Sequence, residues 1–471
     1  MSSHMIIKNG RIVTAIDDYT ADILIENERI KCIGENLEHG LDYEVVDATG
    51  MLVFPGGIDC HTHLENTFGD STTADDFLSG TKAAAFGGTT TILDFAFQGE
   101  DIGVLQSIEK ALQRAEGKAS IDYGFHLITR HIDKQSLAEI KKAIFDEGIT
   151  SFKLFMAYPG KMMVDDSAIF QALKLVGHCG GMISLHAENG IVIEQLIREA
   201  LDQGHTSPRY HNLTRPSLLE GEATHRGICL AELAEAPVYF VHLSAMEALK
   251  HVVEARDRGI PAFAETCPHY LFFDESVYQD DSFDVAKFVM SPPIRSKEAQ
   301  NDLWRALKFD DLQVIATDHC PYCMKEGHLG KINQKPFGRN NFSKIPNGAP
   351  GLQDRMTVVF DGGVNRGRLS MNRFIQLMST NPAKIFGLFP KKGTIAIGSD
   401  ADIVIFDPNE KHILSSDKNF SNCDYSLFEG KEVTGRVKKV ILRGKKIVDN
   451  EKWLGEPFYG NFQKRGEFNG F

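Results

Sequence analysis

The chain has 471 residues, of which 51 are Lys or Arg and 64 are Asp or Glu, giving a formal net charge of −13. With 42% hydrophobic and 24% charged residues it has ordinary globular composition, and its acidic balance excludes nucleic-acid and anionic-membrane partners, which demand a basic face. No apolar run approaches the ~18 residues needed to span a bilayer, and the first residues lack a signal-peptide core, so a soluble cytoplasmic protein is expected. Met1–His4 reads as a possible expression scar and carries no weight. Ile6–Val13, Asp22–Ile25 and Arg29–Ile33 read as short strands separated by Asn, Gly and Glu turns. From Met51 to Leu388 strand-like runs alternate with amphipathic helices. The strand candidates are Gly57–Asp59, Thr91–Phe95, Tyr123–Leu127, Ser151–Phe155, Met182–His186, Val238–His242, Ala262–Glu265 and Val314–Asp318. Helical patterns include Val104–Ala115, Gln135–Glu147, Asp166–His178 and Ile191–Leu201. Strands return at Ala401–Phe406 and Lys439–Val448, and Val440–Val448 echoes Ile6–Val13 as strand, basic-Gly turn, strand.

Eight βα units in this order predict an α/β protein built on a (β/α)8 TIM-like barrel, with strands apolar on both faces. The matching texture of the two ends predicts one small β-sandwich domain formed by both. The expected domains are 1–53 with 390–450 for that sandwich, 54–389 for the barrel, and 451–471 for a C-terminal arm. The arm is rich in Phe and Gly (Phe458, Phe462, Phe468), which predicts docking on a neighbouring subunit or on its own chain. The eight cysteines are Cys32, Cys60, Cys179, Cys229, Cys267, Cys320, Cys323 and Cys423. They are scattered, as in a reducing compartment, and Cys320-Pro-Tyr-Cys323 lacks the βαβ context of a redox motif.

Barrel chemistry sits at the C-terminal ends of the strands. There the sequence places His61 and His63 after the first strand, Lys153 on the fourth, His186 on the fifth, His242 on the sixth and Asp318 on the eighth. Histidines at i and i+2 on a strand share a face, so His61 and His63 can grip one ion. A single strand-end histidine is more often a satisfied residue than a ligand. Four histidines and an aspartate converging on one end predict a metal site. His126, His178, His205, His211 and His269 lack that support.

Pro55-Gly56-Gly57-Ile58-Asp59-Cys60-His61-Thr62-His63-Leu64 opens a series of motifs. It continues with Lys153-Leu154-Phe155-Met156-Ala157-Tyr158, His186-Ala187-Glu188-Asn189, His242-Leu243-Ser244, Ser291-Pro292-Pro293, Thr317-Asp318-His319-Cys320-Pro321 and Ile345-Pro346-Asn347-Gly348. As a set, from about Ile6 to Val448, these resemble the dihydropyrimidinase/hydantoinase group of the amidohydrolase superfamily. The resemblance implies two divalent ions, usually zinc, held by His61, His63 and Asp318 on one side and His186 and His242 on the other. Lys153, carboxylated by CO2 to N6-carboxylysine, would bridge both. Two close cations do require anionic bridging ligands, and a carbamate supplies one where a buried bare ammonium would be costly.

The implied reaction is attack of a metal-bridging hydroxide on a cyclic amide. Asp318 shuttles the proton, Tyr158 stabilises the oxyanion, and Ser291 and Asn347 bind the imide edge. The substrates would be small cyclic amides, 5,6-dihydropyrimidines or 5-substituted hydantoins, and the assembly a homotetramer. Leu64–Thr73 would line the pocket for the exocyclic group. Cys60 stands where an aliphatic residue is common. The segment from Cys320 to Asn347 looks long, with Asn340-Asn341 before Phe342 replacing an acidic residue. The competing readings are allantoinase or dihydroorotase, for which Arg295 is a weak carboxylate-binding candidate, and a non-catalytic family scaffold.

Overall fold

The computed structural model describes residues 4–280, 282–468 and 470, so most of Met1–His4 lies outside the described residues. Eight parallel strands pair in chain order: Gly57–Thr62, Thr89–Phe97, Asp122–Ile128, Ser151–Phe155, Met182–His186, Val238–Phe240, Ala262–Thr266 and Val314–Ile315. The ring closes between its first and last members. Thr62 and His319 form a parallel bridge, and the buried Asp59 carboxylate accepts from the Thr317 amide at 3.1 Å and its hydroxyl at 2.6 Å. Arg355, fully buried, donates to the carbonyls of Ile58 and Ile315 and locks the same seam.

Helices Val104–Ala115 and Asp166–His178 fall where the periodicity places them, and Lys134–Phe145 and Gly190–Asp202 within three residues of expectation. Asp133 starts one of these with a reciprocal capping box to Ser136. Two strand ends differ from the reading. The sixth and eighth ladders stop at Phe240 and Ile315, because His242 (φ 41°) and Asp318 (φ 48°) take left-handed backbone that no ladder accommodates.

A nine-stranded sheet, mostly antiparallel, joins both ends of the chain. Strand His4–Val13 pairs with Asp18–Glu26 on one side and Leu52–Pro55 on the other, and Leu52–Pro55 pairs in turn with Ile403–Ile413. This β-sandwich encloses its own core, including Ile7, Ile12, Ile23, Val53, Ile403 and Ile441. The echo between the two ends is partial. Glu432–Leu442 and Lys445–Asp449 form a hairpin turning at Arg443-Gly444, whereas His4–Val13 is one strand with an irregularity around Asn9 (φ 62°).

The described part of the arm lies against its own chain. Gln463 donates to Tyr123 O at 2.7 Å, Arg465 to Gly148 O at 2.9 Å and Phe468 to Gly180 O at 2.7 Å, across the N-terminal ends of the third to fifth barrel strands. Gly460 permits this approach, since a Cβ there would stand 1.9 Å from Ile121 O.

Candidate active site

At the opposite, C-terminal mouth, side chains from five strands converge. His61 Nε2 lies 3.3 Å from His63 Nε2 and 3.1 Å from Asp318 Oδ1, and His63 Nε2 lies 3.4 Å from that oxygen. These three residues form a group able to hold a metal ion. Two nitrogens each about 2.0–2.1 Å from one tetrahedral zinc stand about 3.4 Å apart, which is the spacing found here. His186 Nδ1 faces His242 Nε2 at 2.9 Å.

Carboxylates behind the imidazoles fix which nitrogens face inward. Glu265 Oε1 makes a short contact with His61 Nδ1, and Glu188 Oε2 sits 2.8 Å from His186 Nε2. Each carboxylate accepts a ring N–H and leaves the other nitrogen's lone pair pointing into the cluster. Glu265 also accepts from the His242 amide at 3.2 Å and the Tyr239 hydroxyl at 2.8 Å, so it serves both halves of the site. Among the described residues, His63 Nδ1 and His242 Nδ1, which face away from the cluster, are buried without a partner. The inward-facing nitrogens, His61 Nε2, His63 Nε2, His186 Nδ1 and His242 Nε2, together with Asp318 Oδ1, are the donor set that divalent cations take.

The electrostatics agree. Burial drives His63 down to about 3 and His242 well below the usual histidine value, keeping both neutral and able to ligate. His61 moves the other way: burial and Lys153 oppose its proton, but Glu265 and Asp318 outweigh them. Burial alone would raise Asp318, yet the neighbouring His61 and His63 hold its carboxyl well below the usual range. The two carboxylates therefore call for positive charge at this point.

Lys153 lies in the middle of the cluster, with Nζ 3.2 Å from His61 Nε2 and above the rings of Phe95 (4.5 Å) and Phe155 (5.0 Å). Among the described residues it makes no ion pair, and burial lowers it to about 8. Tyr158, Ser291 and Asn347 meet at the rim. Asn347 Nδ2 donates to Ser291 Oγ at 2.9 Å and reaches Tyr158 Oη at 3.5 Å. Tyr158 holds φ 62°, so this residue, like His242 and Asp318, sits in strained backbone where a side chain must be aimed.

All nine residues singled out from sequence thus share one mouth. Glu265, Glu188 and Asp94 carried no assigned role. Asp94 accepts from Thr62 Oγ1, from the Leu64 amide (both 2.8 Å) and from Asn66 Nδ2 (3.1 Å), shaping the turn after His63. For Glu265 and Asp94 the one available signal was an acidic residue inside a strand. In the loop after His63, Thr67–Phe68 pairs with Ser71–Thr72, and Phe68 packs edge-on against His63 at 5.3 Å. Asn341 Oδ1 accepts from the Ser343 amide and starts a short turn that buries Phe342. Arg295 is committed to Glu220 (2.8 Å) and Ser244 Oγ (3.1 Å). His319 is occupied by Asp75 (2.9 Å), and Cys323 groups with Cys423 and Asp424 instead of Cys320.

An eight-stranded barrel with histidines, a lysine and an aspartate at its C-terminal mouth is the architecture of metal-dependent amide hydrolases. The profile of the Amidohydrolase family matches residues 52–447, and the chain belongs to that family. Within it, the chain is 48% identical to a D-hydantoinase of Geobacillus stearothermophilus, over 98% of this chain and 97% of that one. It is 45% identical to a D-hydantoinase of Streptomyces coelicolor, over 99% and 98%. The crystal structure of a dihydropyrimidinase from Brevibacillus agri NCHU1002 superposes with a TM-score of 0.96 at 45% identity, covering 99% of each chain.

Proposed function

We propose that this protein is a metal-dependent cyclic-amide hydrolase of the dihydropyrimidinase/hydantoinase type, opening 5,6-dihydropyrimidines or 5-substituted hydantoins to N-carbamoyl amino acids. The observation that carries the reading is the convergence of His61, His63, Asp318, His186 and His242 around a buried lysine that has no ion-pair partner among the described residues. His61, His63 and Asp318 would hold one divalent ion and His186 and His242 a second, zinc being the natural fit to nitrogen and oxygen donors. Lys153 would bridge them as a carbamate. Its depressed pKa favours the free amine, which adds CO2 to form N–COO⁻ and release a proton. When bound, such a pair of ions polarises the amide carbonyl and lowers the pKa of water enough to supply hydroxide near neutral pH.

The chain's own residues do the rest. Glu265 and Glu188 hold the imidazoles in the ligating tautomer. Asp318 takes the proton of the attacking water and delivers it to the ring nitrogen as the C–N bond breaks. The Tyr158 hydroxyl donates to the oxygen that gains charge, and Ser291 and Asn347 orient the imide edge. Residues 1–53 with 390–450 act as one domain, 54–389 as the catalytic one, and 451–471 as the arm. No helix among the described residues is long and apolar enough to cross a membrane. The protein is proposed to work in the cytoplasm as a homotetramer. Exposed Ile191, Leu213, Leu218 and Met246 supply apolar surface for assembly, and light scattering tests it.

Hydrolysis of dihydrouracil, hydantoin, allantoin and dihydroorotate, alongside metal analysis, tests the reading. Turnover is expected for the first two, with about two metals per chain. Dihydroorotate is expected to be inert, because Arg295 is held by Glu220 and cannot meet its carboxylate. No turnover of dihydrouracil or hydantoin by metal-replete protein refutes the proposal.

A further inference from the structure

Arg465, in the C-terminal arm, enters the floor of the barrel and is almost fully buried. Among the described residues it forms no ion pair, and its Nε has no partner. A cation placed in a protein interior without a carboxylate is expensive, and burial lowers even this guanidinium to about 9. Each of its two terminal nitrogens makes a hydrogen bond. One donates to Ser151 Oγ at 2.7 Å and another to the Phe125 carbonyl in a short contact.

From Ser151 the chain of hydrogen bonds continues in one direction. Ser151 Oγ makes a short bond to His126 Nδ1, and His126 Nε2 lies 3.0 Å from Cys60 O. A carbonyl only accepts, so His126 Nε2 carries the proton and Nδ1 accepts from the serine hydroxyl. The end points matter. Ser151 stands two residues before Lys153 on the same strand, so both side chains face the barrel interior. Cys60 O belongs to the peptide that leads into His61. Arg465 thus holds, from below, the strand that presents Lys153 and its neighbour Asp122–Ile128, and through His126 on that neighbour it reaches the strand that presents His61.

We propose that Arg465 is a positioning residue for hydrolysis, acting through Ser151 and His126 to set the height and orientation of Lys153 and His61. The arm is then a working part of the site, beyond the hairpin that ends at Asp449, with an intrachain role that is separate from subunit assembly. This inference rests on the hydrolase reading, since it concerns the same two side chains.

The test compares Arg465→Met, Ser151→Ala, their double variant and Arg465→Lys, with Lys464→Ala as control; Lys464 donates to the Asp146 carbonyl at the surface. Ser151→Ala leaves the arm and its apolar contacts intact, so it decides the matter even if Arg465→Met fails to fold. Expected results for either single variant are a kcat about tenfold lower, an unchanged KM, and faster loss of zinc to a chelator. The double variant is expected to match the singles, because both cut one relay, and Arg465→Lys to recover most of the rate. The proposal is overturned by variants that melt earlier but keep kcat and zinc retention, or by a double variant whose loss equals the product of the singles. If the wild-type protein opens neither dihydrouracil nor hydantoin, the hydrolase reading fails, while zinc retention in the variants still decides the positioning role.

Discussion

Two fully buried lysines, one above the barrel and one below it, have opposite surroundings. Under the floor, Lys392 Nζ is ringed by Asp402 (2.6 Å), Asp122 (2.7 Å) and Asp400 (3.1 Å). Burial disfavours its charge, but these three carboxylates outweigh that and push its pKa up. Arg443 joins from the sheet, contacting Asp122 and donating to the Tyr459 carbonyl of the arm at 2.6 Å. At the mouth, Lys153 has aromatic faces, a histidine nitrogen and, among the described residues, no anion in pairing distance, and burial lowers its pKa. Asp122, Asp400 and Asp402 lie close enough together to hold an ion, as do His61, His63 and Asp318. The comparison shows that proximity of donors does not make a metal centre. The lower cluster already contains its cations and ties barrel, sheet and arm together. The upper one has donors aimed at a point where the protein supplies no fixed positive charge.

The sharpest way to break this contrast is to remove each lysine. Lys153→Ala is expected to lower hydrolysis by about 10³-fold or more and to release metal, while leaving the fold intact. Partial rescue of the rate by a short-chain carboxylic acid would support the carbamate, and an unchanged rate would sink it. Lys392→Met is expected to do the reverse. Stranding three carboxylates destabilises the fold by roughly 3–5 kcal/mol in denaturant titrations, with kcat per folded molecule preserved. Tyr158→Phe removes one hydroxyl at the rim, and a kcat loss of about 10²-fold with metal content unchanged would separate that group from the ligand set.

A third buried lysine gives the smallest effect. Lys335 donates to the carbonyls of Val289 (2.8 Å) and Pro346 (2.9 Å), and burial lowers it to about 7. The unfolded chain keeps its proton up to about 10.4. Below pH 7 both states are charged and the full cost of burying the ammonium is present. Between pH 7 and 10 the unfolded state binds more protons, so this residue makes stability rise with pH. Melting curves of wild type and Lys335→Met should diverge over that range, the variant lacking the rise.

Much of the architecture was legible because local signals agreed. Continuous apolar runs marked strands buried on both faces, and residues at their ends marked the mouth. His61 and His63 announce themselves by spacing, and Lys153 by being a lysine inside Phe152–Phe155. Glu265 and Asp94 did not, because a single carboxylate in a strand looks like an ordinary edge residue until the barrel closes around it. The left-handed turns at His242 and Asp318 were also invisible, since tertiary packing overrides the β-preference of Val238–His242 and the apolar run before Asp318. Arg465 was hidden for a third reason: a charged residue near a chain end defaults to solvent, and only the closed floor of the barrel gives it partners.

The seam between Asp59 and Thr317 has a consequence in time. The two residues are 258 positions apart, and strand Leu52–Pro55 must likewise wait for Ile403–Ile413. Contacts this distant in sequence carry a large loop-closure cost and slow folding. During synthesis the early βα units can assemble as they emerge, but neither the ring nor the sheet can be finished until most of the chain has left the ribosome. Until then the apolar edges of the first barrel strand and of Leu52–Pro55 stay open, and this is the period in which the protein is most exposed to aggregation.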